Sequence, residues 1–224
     1  MNSPNYSFMR WLRPADAPTA KPTLVGKPTT RASRRSMGLG EFLHNLTPGT
    51  DKKLCVLDLG PTSPANINFL TDREMRVFNE DIIRAVKQPE YQTKAEDGSL
   101  QLDLDKFFAE NLEYAENQFD AILCWDAPDY LPESLVKPLV GRIHTMLKPG
   151  GVLLAFFHTQ DTGPESPHYR YDITQPDTLQ MESRSSSRME RIFNNRHIEN
   201  LFKDFASKRF FLGRDNLREV IVVR

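Results

Sequence analysis

The stretch that most constrains the fold is Leu54-Cys55-Val56-Leu57-Asp58-Leu59-Gly60, followed at once by Pro61-Thr62-Ser63-Pro64. A short, nearly all-apolar run ending in an acid and a glycine has the pattern of a strand buried on both faces, as in parallel sheets. Ser63 suits a helix N-cap and Pro64 the first helical position, so a helix is predicted through Asn66 to Leu70. In a strand, tight turn and helix of this kind, the helix amides point back at the strand end and favour an anionic group there, such as a carboxylate or phosphate.

The same alternation continues down the chain. Strands are predicted at Met75–Asn79, closed by Glu80 and Asp81, and at Leu100–Leu102, ending at Asp103. Two more are predicted at Phe119–Cys124, followed by Trp125-Asp126, and at Val152–Phe157, with His158 just past its end. Leu135, Val136, Leu139, Val140, Ile143, Met146 and Leu147 recur at the spacing of one buried helix face. Pro138 sets the expected start of that helix at about Val136, because proline is tolerated in a first turn. Residues 38–46 read as a short amphipathic helix stopped by Pro48 and Gly49, and Ile198, Leu201, Phe202 and Phe205 read as another helix. Lys208–Leu212 and Leu217–Val223 flank a turn-forming linker and read as a hairpin closing one sheet edge. Together these elements imply an α/β fold with a doubly wound, mostly parallel sheet.

Two regions depart from that rhythm. The opening 40 residues hold Arg10, Arg13, Lys21, Lys27, Arg31, Arg34 and Arg35 against the single acid Asp16, and five prolines without apolar periodicity. Residues 1–36 are therefore expected to be a flexible, basic, Pro-rich arm, and 37–224 the folded domain. Such an arm is either a solvated tail or touches RNA, an acidic partner or the acidic surface of its own body. Residues 158–194 are polar and rich in Ser and Arg, reading either as a substrate lid behind a strand end or as a surface loop with weak extra strands.

Composition excludes several classes. The formal net charge of −1 over 224 residues gives no overall argument for nucleic acid or an anionic membrane surface. No apolar run approaches a membrane span, the opening residues lack a signal peptide's apolar centre, and a cytoplasmic setting is expected. The only cysteines, Cys55 and Cys124, lie in apolar runs and read as packing thiols in a reducing compartment. The five histidines show no metal-ligand spacing, so no metal site is expected. Neither a Gly-x-Ser-x-Gly elbow nor a phosphate loop nor the dinucleotide fingerprint occurs.

Leu57-Asp58-Leu59-Gly60, Phe119-Asp120-Ala121-Ile122-Leu123 and Leu147-Lys148-Pro149-Gly150-Gly151-Val152-Leu153, together with the terminal hairpin, stand in an order and separation that resemble the class I S-adenosylmethionine-dependent methyltransferases. The resemblance runs from about Met37 to Arg224. It implies a seven-stranded Rossmann-like sheet with an antiparallel C-terminal strand, S-adenosyl-L-methionine as cofactor, and a small-molecule methyl acceptor as partner. It places Asp58, Gly60 and Thr62 in the turn beside the methionine portion of the cofactor. It places Asp81, or its neighbour Glu80, at the ribose hydroxyls and Asp103 near the adenine. Trp125 and Asp126 fall beside the sulfonium and the incoming substrate. Asp126 and His158 are the expected catalytic residues, with Asp129 and Tyr130 nearby.

The cofactor turn departs from the family pattern, with Thr62 and Pro64 where glycines usually stand. Glycine there allows positive φ and close backbone approach, and Pro64 also removes an amide donor. Two alternatives follow: a methyltransferase-like protein that has lost catalysis and serves as a binding or regulatory module, and an RNA or protein methyltransferase docking through the basic arm.

Overall fold

In the computed structural model, the described residues are 31–46, 53–94, 98–161, 163, 167–186, 188–213 and 215–224. The chain opens with β1 (Arg31–Arg35) and α1 (Met37–Asn45), followed by β2 (Cys55–Asp58) and α2 (Pro64–Thr71). Next come β3 (Arg76–Asn79), α3 (Ile82–Val86), β4 (Gln92–Lys94), β5 (Leu100–Leu102) and α4 (Leu104–Glu110). The second half holds β6 (Phe119–Trp125), α5 (Ala127–Tyr130), α6 (Glu133–Met146) and β7 (Leu147–His158). It ends with β8 (Pro167–Gln175), β9 (Thr178–Ser186), α7 (Asn195–Leu201), β10 (Ser207–Leu212) and β11 (Leu217–Val223).

Among the described residues the central sheet has six strands in the order β10-β11-β7-β6-β2-β3, parallel from β7 through β3, with β11 and β10 antiparallel. The predicted α/β architecture holds, and so does the terminal hairpin. The count of seven does not: Leu100–Leu102 pairs with Gln92–Lys94 in a separate two-stranded ribbon. That segment is three residues long and leaves its leucines largely exposed or half-buried, too little apolar surface to occupy a place in the main sheet.

Alternation along β6 divides the core. Ile122 and Cys124, with Phe119 across a register shift, pack on one face with the apolar sides of α6 and α7. Ala121, Leu123 and Trp125 pack on the other with Leu39 and Phe42 of α1 and with Tyr171, Ile173 and Leu179 of the β8–β9 hairpin. Each fully buried Leu or Phe contributes roughly 1.5–3 kcal/mol. The helix predicted from Val136 begins earlier, at Glu133, which places Pro138 in its second turn. Pro138 is exposed, so the ring lies toward solvent and only one backbone bond is forgone. Ser63 caps α2 by accepting from the Asn66 amide, with Pro64 at its first position, as the sequence predicts. The expected stop at Pro48 and Gly49 lies outside the described residues.

The arm boundary also moves. Arg31–Arg35, read as the end of a flexible arm, forms a strand antiparallel to β9, and the family of contacts it makes is ionic. Arg31 pairs with Glu182, Arg35 with Asp177, and the buried Arg34 with both Asp215 and Glu219. Glu219 also accepts from the Ser36 hydroxyl at 2.9 Å and the Gly38 amide at 2.5 Å. These basic residues are thus spent on acids of the protein's own body. Residues 1–30 of the predicted arm lie outside the described residues. Within the 158–194 segment, the nine-residue strands β8 and β9 form a hairpin that pairs with β1 and packs on α2, a stronger element than the weak extra strands expected of a surface loop. Buried Tyr171, Ile173 and Leu179 supply the apolar surface that holds it down. Both cysteines are free thiols; Cys124 is buried, which pushes its thiol up to about 12, and Cys55 is half-buried.

Candidate functional site

Parallel strands β2, β3, β6 and β7 all end on one side of the sheet, the side on which an α/β sheet carries its ligand crevice. Its two ends are built differently. At the end of β6 the register to β7 shifts between Leu123 and Trp125, a bulge that turns the chain. Trp125 follows with φ of 50°, a left-handed conformation that a bulky residue holds only when its surroundings compel it. Its indole Nε1 donates to Asp58 Oδ1 at 2.6 Å, and its ring stacks on Tyr171 at 5.2 Å between centroids with 13° between planes. Phe156 packs edge-on at 5.6 Å.

Asp58 is wholly enclosed by these groups. Besides the indole it accepts from the Gly60 amide at 3.0 Å and from the Asn66 side-chain amide at 2.9 Å. Burial pushes its carboxyl above the ordinary aspartate range, against the lowering effect of those three donors. Asn66 also donates to the Tyr171 carbonyl at 2.9 Å and accepts from the Ile173 amide at 2.7 Å, pinning β8 to α2. Ser63 donates to Asp172 at 2.6 Å, a second pin. A methyl group placed on Gly60 would stand 2.7 Å from the indole Cδ1, so the glycine is needed for the indole to lie against the turn.

The other end is open. A cavity of about 470 Å³ is lined by Pro61, Thr62, Asp81, Arg84, His168 and Arg184 among others. Asp81 accepts from the Arg84 amide at 3.0 Å, capping α3. Thr62 donates to Asn79, whose side-chain amide in turn holds the Asp58 and Gly60 carbonyls at 3.0 and 2.9 Å. The neighbouring acids are otherwise engaged. Glu80 accepts from the Leu112 amide at 3.0 Å, and burial together with the Glu80 carboxylate raises the Tyr114 hydroxyl beside it. Asp103 caps α4 by accepting from the Lys106 amide at 3.0 Å and does not line this cavity.

Beyond Trp125 lies a third group. Buried Asp126 accepts from the Tyr171 hydroxyl at 2.7 Å. Asp129 Oδ2 accepts from the His158 amide at 2.7 Å and lies 2.8 Å from His158 Nδ1. Burial raises the Asp129 carboxyl to about 6, although its bonds to His158 act the other way. Burial opposes charge on His158, yet the bond to Asp129 and the nearby Asp126, Asp129 and Asp215 raise it above the usual histidine value. Asp129 Oδ1 is buried with no hydrogen-bond partner among the described residues.

Of the residues singled out from sequence, Asp58, Gly60 and Trp125 therefore meet each other, and Thr62 and Asp81 meet at the cavity. Asp126 and His158 are linked through neighbours, while Asp103 and Glu80 serve capping and loop contacts. Asn66, Asn79 and Tyr171 were not singled out. An asparagine within the first turns of a predicted helix, and the alternation of Tyr169, Tyr171 and Ile173, are the signals that mark the first and third; Asn79 carries no such mark.

No curated protein matches the chain. Among solved structures it resembles a Burkholderia thailandensis 1,6-didemethyltoxoflavin-N1-methyltransferase with bound 1,6-didemethyltoxoflavin and S-adenosylhomocysteine (12% identity, 84% of this chain and 76% of that one, TM-score 0.45). A glycopeptide N-methyltransferase complexed with S-adenosyl-L-methionine gives 14% identity, 84% and 94% coverage and a TM-score of 0.43. A Bordetella parapertussis protein described as possibly exported gives 17% identity and a TM-score of 0.47, with 84% of this chain covering 65% of that one. The family described as "Methyltransferase domain" matches residues 31–205, from the first residue of β1 to the end of the α7 region. By that match this chain belongs to the S-adenosyl-L-methionine-dependent methyltransferases of class I, a family whose cofactor is S-adenosyl-L-methionine.

Proposed function

We propose that this chain transfers a methyl group from S-adenosyl-L-methionine to a small-molecule acceptor. The observation that carries this reading is the cavity beside Asp81 at the carboxyl ends of β2 and β3, with the buried His158–Asp129 pair beyond Trp125 at the ends of β6 and β7. The cofactor supplies a methyl group on a sulfonium, and the protein's part is positioning and proton handling. Asp81 uses one oxygen on the Arg84 amide, and its other oxygen is suited to the vicinal hydroxyls of a ribose. Asp129 holds His158 at Nδ1, which leaves Nε2 to take a proton from an acceptor, and Asp126 adds negative charge beside it.

The nucleoside end of the cofactor fits the open cavity. Its amino-acid end does not fit while the indole of Trp125 lies on Asp58 and Gly60. That contact favours a second reading, a methyltransferase-fold protein without catalysis that serves as a binding module. Calorimetric titration with S-adenosylhomocysteine separates the two. The enzyme reading expects micromolar binding, weakened by about 1–3 kcal/mol in Asp81→Ala through loss of charge-assisted hydrogen bonds. Absence of heat up to millimolar ligand, from a folded wild-type chain, overturns it in favour of the second reading.

A further inference from the structure

The two ends of the crevice differ in one respect that bears on ligand choice: one is empty space and the other is filled by side chains of the protein itself. Trp125 fills it through a bulge, a positive φ, a bond to a buried carboxylate and a stack on Tyr171. None of these is needed to complete the sheet, since β6 already pairs with β7 and β2. Tyr171 belongs to a hairpin held from above by Asn66 and Ser63 and from the side by Asp126, all three of them buried polar groups of the crevice. The hairpin therefore keeps the indole seated, and the indole gives the hairpin an apolar floor.

We propose that Trp125 and the β8–β9 hairpin form a plug, so that the closed protein admits a nucleoside lacking an amino-acid tail, and a ligand with that tail enters only as the hairpin lifts and the indole leaves Asp58. This rests on the crevice being the ligand site named above. Lifting exposes Asp58, Asn66 and Ser63 together, so their hydrogen-bonding groups become available to the ammonium and carboxylate of an amino-acid tail at the moment they lose the hairpin.

The test compares 5′-deoxy-5′-methylthioadenosine with S-adenosylhomocysteine, two neutral-sulfur nucleosides that differ by the amino-acid tail, by calorimetry on the full chain. Wild type, Tyr171→Ala and Trp125→Ala are each checked for folding by circular dichroism; either variant suffices if the other fails to fold. A Trp11→Phe background leaves Trp125 as the sole indole, and its emission is followed in the otherwise unaltered chain. The plug predicts that wild type binds the tail-free nucleoside at least ~10-fold tighter than S-adenosylhomocysteine, and that the variants abolish the gap by gaining affinity for the latter. It also predicts a red shift of Trp125 emission with S-adenosylhomocysteine alone. Binding of S-adenosylhomocysteine by the variants and not by wild type supports the plug while removing the enzyme reading from the wild-type chain. Equal affinity for S-adenosylhomocysteine in all three, with Trp125 emission unmoved, overturns the plug and leaves the enzyme reading standing. No binding of either nucleoside by any chain overturns both.

Discussion

Asp58 and Asp81 close neighbouring parallel-strand ends of one crevice, yet they live in opposite surroundings. Asp58 is buried under an indole and two asparagine- and glycine-derived donors, only 2% exposed, whereas Asp81 borders a cavity of about 470 Å³ and holds one backbone amide. The difference comes from what lies above them. Tyr171 and Phe156 press on Trp125 from the hairpin and from β7, while above Asp81 the hairpin offers His168 and Arg184 at a distance that leaves space. Carboxylates at like positions on a sheet thus acquire a structural and a ligand-facing character from one appended hairpin.

The largest expected effect is in the sealed end. Asn66→Ala would leave the Ile173 amide, the Tyr171 carbonyl and one oxygen of Asp58 without their partner inside the protein. Such a loss costs roughly 3 kcal/mol, because each buried group forfeits its hydrogen bond without regaining water. Urea denaturation followed by circular dichroism measures it. A cost under about 0.5 kcal/mol would mean that the sealed end is hydrated in solution and that the contrast between the two ends is small.

A smaller effect follows from titration. Asp58 and Asp129 have folded values above the ordinary aspartate value, so between that value and the folded one the native state binds more protons than the unfolded chain. His158 is raised as well, so the same sign applies from the unfolded histidine value up to its folded one. All three contributions therefore make stability fall as pH rises, for Asp129 between about 4 and 6 and for His158 above 6.5. For Asp129 the slope within its window is at most about 1.4 kcal/mol per pH unit. Asp129→Asn should flatten the lower window in thermal unfolding scans taken from pH 4 to 8; an unchanged profile would place the proton elsewhere.

How much of this was legible in the sequence depends on the range of the interactions. The β2 run, the Ser63 cap with Pro64 and the terminal hairpin rest on neighbours within a few residues, and they are where the pattern places them. Arg31–Arg35 carries no apolar periodicity, so its strand exists only because β9 offers an edge and Glu182, Asp177 and Glu219 offer charges some 140 to 185 residues away. The site divides the same way. That acids stand at the ends of β2, β3 and β6 is a local fact. Whether each faces a ligand is not, since a helix cap and a ribose want the same carboxylate at the same place, and both Asp81 and Asp103 are caps. Trp125 was placed beside the cofactor by its position after β6, but the bond that turns it onto Asp58 spans 67 residues and leaves no local trace.

The open end supplies the smallest expected change in stability and the sharpest use of the comparison. Asp81→Ala removes a single cap from the five-residue helix α3, and the amide of Arg84 it leaves behind is exposed to solvent. Loss of a cap costs ~1 kcal/mol, less where water replaces the bond, so the same urea titration should register under about 1 kcal/mol. The ratio to Asn66→Ala is then the measure of how differently one crevice treats its two ends. A cost for Asp81→Ala equal to that of Asn66→Ala would show that the cavity beside Asp81 closes in solution, and that its carboxylate is held by the fold as firmly as Asp58.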